Sequence, residues 1–244
     1  MIELKNLHVT FGQGTPLENP VLQGLDLHIE GHEFVTVIGS NGSGKSTLLN
    51  AISGEVKPHK GQVRIDGHGV HQLCPEKRAL YVARVFQNPL VGTCAQMSIE
   101  ENLAFAYRRG EPRSLGRAIR PELRQYFKEV VSELKLGLES RLQDPIGLLS
   151  GGQRQAVSLL MATLKAPKIL LLDEHTAALD PKMARVVMEL TEERIQKHRL
   201  TTLMVTHSMH QALEHGTRTV LIHQGRVARV LVGEERAGLK PHQL

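Results

Sequence analysis

Gly39-Ser-Asn-Gly-Ser-Gly-Lys-Ser-Thr47 decides how the rest of this 244-residue chain is read. It fits the spacing G-x-x-x-x-G-K-[ST]. Gly39, Gly42 and Gly44 let the backbone turn tightly and aim its N–H groups, with those of Ser40, Asn41 and Ser43, at phosphate oxygens. Lys45 sets a cation on the outer phosphates, and the hydroxyls of Ser46 and Thr47 follow, Ser46 placed to bind Mg²⁺. The flanks agree. Phe34-Val-Thr-Val-Ile38 is a β-rich apolar run suited to a strand buried on both faces, and Leu48-Leu49 with Ile52 continues as a helix. A helix starting near Gly44 adds its positive N-terminal end to the phosphate site.

Further along, Ile169-Leu-Leu-Leu-Asp-Glu174 reads as a strand ending in two carboxylates, about 130 residues after the loop. At the carboxyl edge of an α/β sheet both can reach a ligand crevice. Asp173 suits the water shell of Mg²⁺, and Glu174 suits orienting or deprotonating an attacking water.

The remaining pattern is α/β. Leu25, Leu27 and Ile29 alternate with polar residues, and Gly61 to Gly67 encloses a short strand. Ser98 and Glu101 form a capping box before a helix, and Leu123, Tyr126, Phe127, Val130 and Leu134 recur at helical spacing. Val157, Leu160, Met161 and Leu164 do the same after Ser150. Pro181 opens a helix, Thr201–Thr206 is a strand, Ser208 with Gln211 caps a helix, and Thr219–Leu231 reads as a hairpin about Gln224-Gly225. This predicts an α/β core carrying a helical insertion between about Pro89 and Pro167.

Composition narrows the functional classes. The net charge is +5, which suits an anionic partner but is also ordinary for a soluble protein. Aromatic residues are only 3% and tryptophan is absent, too few stacking platforms for a single-stranded nucleic-acid binder. Cys74 and Cys94 form no CxxC, so no zinc or disulfide framework follows. No apolar stretch approaches the roughly 18 residues of a membrane span, and Met-Ile-Glu-Leu-Lys-Asn6 has no signal-type apolar core. A cytoplasmic chain is expected.

Leu149-Ser-Gly-Gly-Gln153, before a helical stretch and about 20 residues before Asp173-Glu174, carries the resemblance to a family. In this order and spacing the chain resembles the ATP-binding cassette (ABC) ATPases from Ile2 to about Val232. The resemblance implies a P-loop NTPase core, a mixed sheet flanked by helices, with an N-terminal antiparallel β-subdomain and an inserted helical subdomain. It implies one ABC ATPase domain over 1–244, with 1–89 and 168–244 forming core and β-subdomain and 90–167 the helical subdomain. Phe11 falls where the family has an adenine-stacking aromatic, more often tyrosine. Gln87, in Val85-Phe-Gln-Asn-Pro89, is similar to the glutamine that holds Mg²⁺ or the attacking water. Asp180, in Ala178-Leu-Asp180, is similar to the loop linking the two sites of a dimer, and His207 to the histidine that contacts the γ-phosphate and steadies Glu174. Ser150, Gly151, Gly152 and Gln153 would close on ATP held by the phosphate loop of a second copy.

The implied function is the ATP-hydrolysing subunit of a bacterial importer of a small solute, with ATP and Mg²⁺ as cofactors. Its expected partners are an identical subunit, membrane permease subunits and an extracytoplasmic substrate-binding protein, with no nucleic acid, on the inner face of the membrane. Residues 86–93, 97–102 and 173–181 resemble a subgroup proposed for amino acids. The rival reading is an assembly ATPase such as one in iron–sulfur cluster biogenesis. DNA-repair members need a coiled coil or zinc insertion, and translation members need two cassettes; this sequence has neither. His175 stands where many members have proline, either as a tolerated loop substitution or as an electrostatic influence on Glu174.

Overall fold

The computed structural model describes residues 1–111 and 118–238. Its elements are β1 (Ile2–Phe11), β2 (Asn19–Ile29), β3 (Phe34–Ile38), α1 (Lys45–Ser53), β4 (Lys60–Ile65), β5 (His68–Gly69), α2 (Pro75–Arg78) and β6 (Val82–Val85). Then come α3 (Ile99–Tyr107), α4 (Pro121–Ser132), α5 (Gly151–Thr163), β7 (Ile169–Asp173), α6 (Pro181–His198) and β8 (Thr201–Val205). The chain closes with α7 (Met209–Glu214), β9 (Arg218–His223), β10 (Arg226–Val232) and α8 (Gly233–Ala237). They fall into two compact units. One holds Met1–Ala83, Lys168–Glu174 and the stretch from Arg199 onward; the other holds Arg84–Pro167 and His175–His198.

The first unit contains an antiparallel sheet in the order β2-β1-β4-β5. A second, mixed sheet runs β10-β9-β3-β8-β7-β6, and the chain leaves the unit within β6. Strand β3 pairs in parallel with both β8 and β9, β7 pairs in parallel with β8, and the β9–β10 hairpin is antiparallel. All five residues of β3 are buried, as are the first four of β7 and all of β8, as expected for strands covered on both faces. The core joins Leu4, Leu25, Ile29 and Val63 of the antiparallel sheet to Val35, Leu48, Ile52, Leu171 and Val220. Each fully buried Leu, Ile or Val removes apolar surface worth roughly 1.5–3 kcal/mol, so the loop after β3 rests on a rigid base.

Strand β1 was not marked by the sequence pattern. Its alternation breaks between Leu4 and Leu7, where the register shifts and Asn6 adopts φ 47°. Buried positions therefore fall at Ile2, Leu4, Leu7 and Val9, two interleaved half-patterns around a bulge.

The second unit is helical. α3 starts on Ser98, whose side chain accepts from the Glu101 amide while Glu101 returns a bond to the Ser98 N–H. Phe127, Val130 and Val131 of α4 are buried, and Arg124 of α4 makes two hydrogen bonds to the nearly buried Glu100, at 2.7 and 2.9 Å. α6 stays with this unit through the Arg194–Glu133 contact at 2.8 Å.

Candidate functional site

The first unit carries a cleft of about 760 Å³. Asn41, Gly42, Gly44, Lys45, Ser46 and Thr47 form one wall, and Glu174 and His207 another. Phe11, Asn19, Pro20, Val21, Gln23 and Gln224 complete it. Six of the nine predicted loop residues thus line one cleft with Glu174 and His207, while Gly39, Ser40, Ser43 and Asp173 are not among its lining residues. Phe11 ends β1 opposite Asn19 of β2 and is 44% exposed, part of the cleft lining rather than a core residue.

The loop joins β3 to α1. Gly44 is the N-cap of α1, in a left-handed conformation with no side-chain cap bond, and the first turn of α1 holds no acid. The amides at this helix end are left for an outside acceptor. Lys45 lies at 6% exposure, and its ammonium donates to the carbonyls of Gly39 at 2.8 Å and Ser40 at 3.0 Å. Burial pushes its pKa below the ordinary lysine range, while the carboxylates of Glu174 and Asp173 pull it back up. A buried cation held on neutral carbonyls is what an anion between it and the helix end would stabilise.

Asp173 is the last residue of β7 and partly buried. Glu174 then leaves strand geometry with φ 47°, while its N–H still donates to the Val205 carbonyl at 3.0 Å. This left-handed step is uncommon for a residue with a Cβ, and the neighbouring carboxylates Asp173 and Glu174 both act on Lys45. Strain of this kind costs of order 1–3 kcal/mol and concentrates at functional sites. The Glu174 side chain is 14% exposed, and its Oε1 lies 2.7 Å from Nε2 of His207. An ionised carboxylate only accepts, so Nε2 carries the proton in this contact. His207 stands before α7, where the Ser208 side chain accepts from the Gln211 amide and Thr206 Oγ1 bonds the Gln211 side chain.

The other predicted residues lie in the second unit. Gln87 is exposed in a bend after β6. Ser150 caps α5, its hydroxyl accepting from the Gln153 amide at 3.3 Å and its N–H donating to Gln153 Oε1 at 3.2 Å. Gly152 is demanded by packing, since a Cβ there would meet the Met183 side chain at 2.7 Å; Gly151 meets only Leu179, at 3.9 Å. Arg154, which the sequence reading passed over, ties down the preceding loop by donating to the carbonyls of Ile146, Gly147 and Leu149. Asp180 is exposed and caps α6, accepting from the amides of Lys182 and Met183. His175 is 2% exposed, with Nε2 3.0 Å from Thr191 Oγ1. Thr191 donates its proton to the Val187 carbonyl at 2.7 Å, so His175 Nε2–H is the donor. Its ring is built into the second unit. Asn19, Val21 and Gln23 line the cleft although nothing local in the sequence marks them, and Gln224, which reads in the sequence only as a hairpin turn, lines it too.

Among the described residues no group of three or more His, Cys, Asp or Glu side chains forms a metal cage. Mg²⁺ does not need one: it keeps several waters and binds through one or two protein oxygens and substrate phosphates. A serine hydroxyl in the loop and a carboxylate beside Lys45 fit that pattern.

Comparison with known proteins identifies the family. Residues 22–177 match the family described as ABC transporter. Over 244 residues, all of this chain and 97% of the other, the sequence is 41% identical to a tyrosine transport ATP-binding protein of Clostridioides difficile. It is 32% identical over 231 residues to a spermidine/putrescine import ATP-binding protein of Legionella pneumophila, spanning 94% of this chain but 58% of that one. A dimeric post-hydrolysis ATP-binding cassette bound to ADP and Pi superposes with a TM-score of 0.81 at 30% identity, covering 95% of this chain and 98% of that one.

Proposed function

The chain belongs to the ABC transporter family and is an ATP-binding, ATP-hydrolysing protein, and from that premise we propose that it drives import of an amino acid. One observation carries the assignment of roles: the phosphate loop, the buried Lys45 and the Glu174–His207 pair share one cleft. In this reading the α1 amides and Lys45 bind the β- and γ-phosphates, and Phe11 stacks on adenine. Glu174 takes the proton of the attacking water, and His207 holds Glu174 in place and contacts the γ-phosphate. Mg²⁺ would be held by Ser46 and Asp173, with Gln87 as a further oxygen ligand, and would neutralise phosphate charge when bound.

The pairing reading is a homodimer in which Ser150, Gly151, Gly152 and Gln153 of one copy close on the ATP of the other, with Asp180 between the two sites. The dimeric state of the structure superposing at 0.81 supports it. The division by role is 1–89 with 168–244 for nucleotide and 90–167 for signature and partner. Among the described residues no helix is long and apolar enough to cross a membrane. In this reading the transmembrane path is formed by separate permease subunits. They would hold the protein on the inner face of the membrane, with an extracytoplasmic binding protein delivering the solute. The relative named for tyrosine transport supports an amino-acid solute, and no relative cited here is named for cluster assembly.

The test is co-purification from detergent extract followed by reconstitution. Hydrophobic subunits should co-elute, and tyrosine with its binding protein should stimulate ATP turnover in vesicles. A fully soluble complex with a scaffold protein would defeat the importer reading, and stimulation by another solute alone would defeat the substrate class.

A further inference from the structure

The turn between β9 and β10 touches the nucleotide cleft from a side to which no role has been given. It has two residues, Gln224 and Gly225, between the paired His223 and Arg226. Both have positive φ, 47° and 73°, the pattern of a type I′ hairpin turn. Gly225 is bound in two directions. Its N–H donates to the carbonyl of Ser43 in the phosphate loop at 3.0 Å, and its own carbonyl accepts from the Gln23 amide of β2 at 3.1 Å.

The fit around it leaves no slack. A Cβ on Gly225 would lie 2.1 Å from the Val21 carbonyl oxygen, which is backbone and cannot rotate away. The same hairpin meets the loop again at its start, where a Cβ on Gly39 would lie 2.3 Å from the Ile222 carbonyl oxygen. Gln224, Val21 and Gln23 all line the cleft. The loop is therefore gripped at Gly39 and at Ser43 by one hairpin, which is itself fastened to β2.

We propose that the Gln224-Gly225 turn is a positioning element of the nucleotide site. It holds the phosphate-loop backbone at Ser43 against β2 and so fixes the aim of the loop's N–H groups. The proposal rests on the reading of the cleft as an ATP site and adds to it a residue pair that touches the loop, not the reacting atoms.

The structure contains its own control. The turn between β4 and β5 is Asp66-Gly67, between the paired Ile65 and His68, with φ 48° and 79°. It has nearly the same backbone as Gln224-Gly225, yet nothing lies within 4 Å of a Cβ on Gly67. Gly225→Ala and Gly67→Ala thus impose the same local φ strain, and only the first pushes on β2 and the loop.

The experiment compares the two variants in full-length protein by thermal melting and steady-state ATP hydrolysis. Both should melt lower than the parent. Only Gly225→Ala should raise KM for ATP, by about ten- to a hundredfold, as a small misplacement of a preorganised cradle does, with kcat changed less. If Gly225→Ala does not fold, Gln224→Gly decides: it loosens the turn without adding an atom and should raise KM roughly two- to fivefold. A KM within twofold of the parent in the deciding variant, or one raised equally in Gly67→Ala, overturns the proposal. Absence of ATP binding by the parent protein would instead overturn the cleft reading itself.

Discussion

Two helix N-termini in this protein are rich in glycine, and they are finished in opposite ways. α1 begins on Gly44 with no side-chain cap and a lysine as its first residue. α5 begins on Ser150 with a complete capping box, in which Gln153 and Ser150 satisfy each other's backbone N–H. A serine or threonine cap is worth about 1 kcal/mol, so α1 forgoes stability that α5 keeps. The difference teaches where the primary anion site is. The α1 end leaves its amides to be satisfied from outside, whereas the α5 end has already used one on its own side chain. In the proposed dimer, α5 supplies the remaining backbone donors and a steady shape.

The strongest way to break this comparison is Glu174→Gln. Losing a positioned base should cut ATP turnover by about a hundredfold or more while nucleotide binding persists, checked by single-turnover hydrolysis beside a binding titration. Turnover within tenfold of the parent would remove Glu174 from that role. Next in size is Lys45→Ala. Removing a charge-assisted contact to phosphate should weaken ATP binding roughly ten- to a hundredfold by calorimetry, and equal affinity would contradict the account of the α1 end. His207→Ala should lower kcat about tenfold with KM little moved, the signature of a contact made mainly in the transition state. A rise in KM alone would make His207 a binding residue. The smallest effect sharpens the α5 side: Ser150→Ala should cost about 1 kcal/mol of stability in denaturant melts and leave single-copy ATP affinity unchanged. A large affinity loss in monomer would mean that the two helix ends are not distinct in task.

What the sequence discloses divides along similar lines. The phosphate loop and the caps at Ser98 and Ser208 are local devices, each complete within a few residues, and the structure contains them; the equally local box of Ser150 and Gln153 appears only in the structure. Strand β1 hides because its bulge shifts the alternation, and β6 hides because four residues are too few to show one. The left-handed backbone of Glu174 has no local signal, since the pairing of β7 with β8 sets it. Arg78 is the sharpest case. A charged residue reads as surface, yet it is fully buried and donates to the carbonyls of Ala51 and Ile52 at the end of α1 and of Val70 and Leu73 beyond. Burial pushes its pKa down, and four carbonyls, two from the near segment 70–73 and two from the distant end of α1, stabilise the charge. No spacing rule joins those segments before the chain folds.

The strand order of the mixed sheet has a consequence for how the protein is made. β3 lies between β8 and β9, and both follow it by more than half the chain. At ordinary synthesis rates, roughly ten to thirty seconds separate the emergence of Ile38 from that of Thr201. Throughout that interval an apolar strand has neither neighbour, while the residues of the second unit are translated and can pack. The nascent chain must therefore shelter the segment leading to its own phosphate loop, by chaperone or by temporary burial, until the last third arrives. Truncation before Arg218 should yield a chain that aggregates rather than a smaller ATPase.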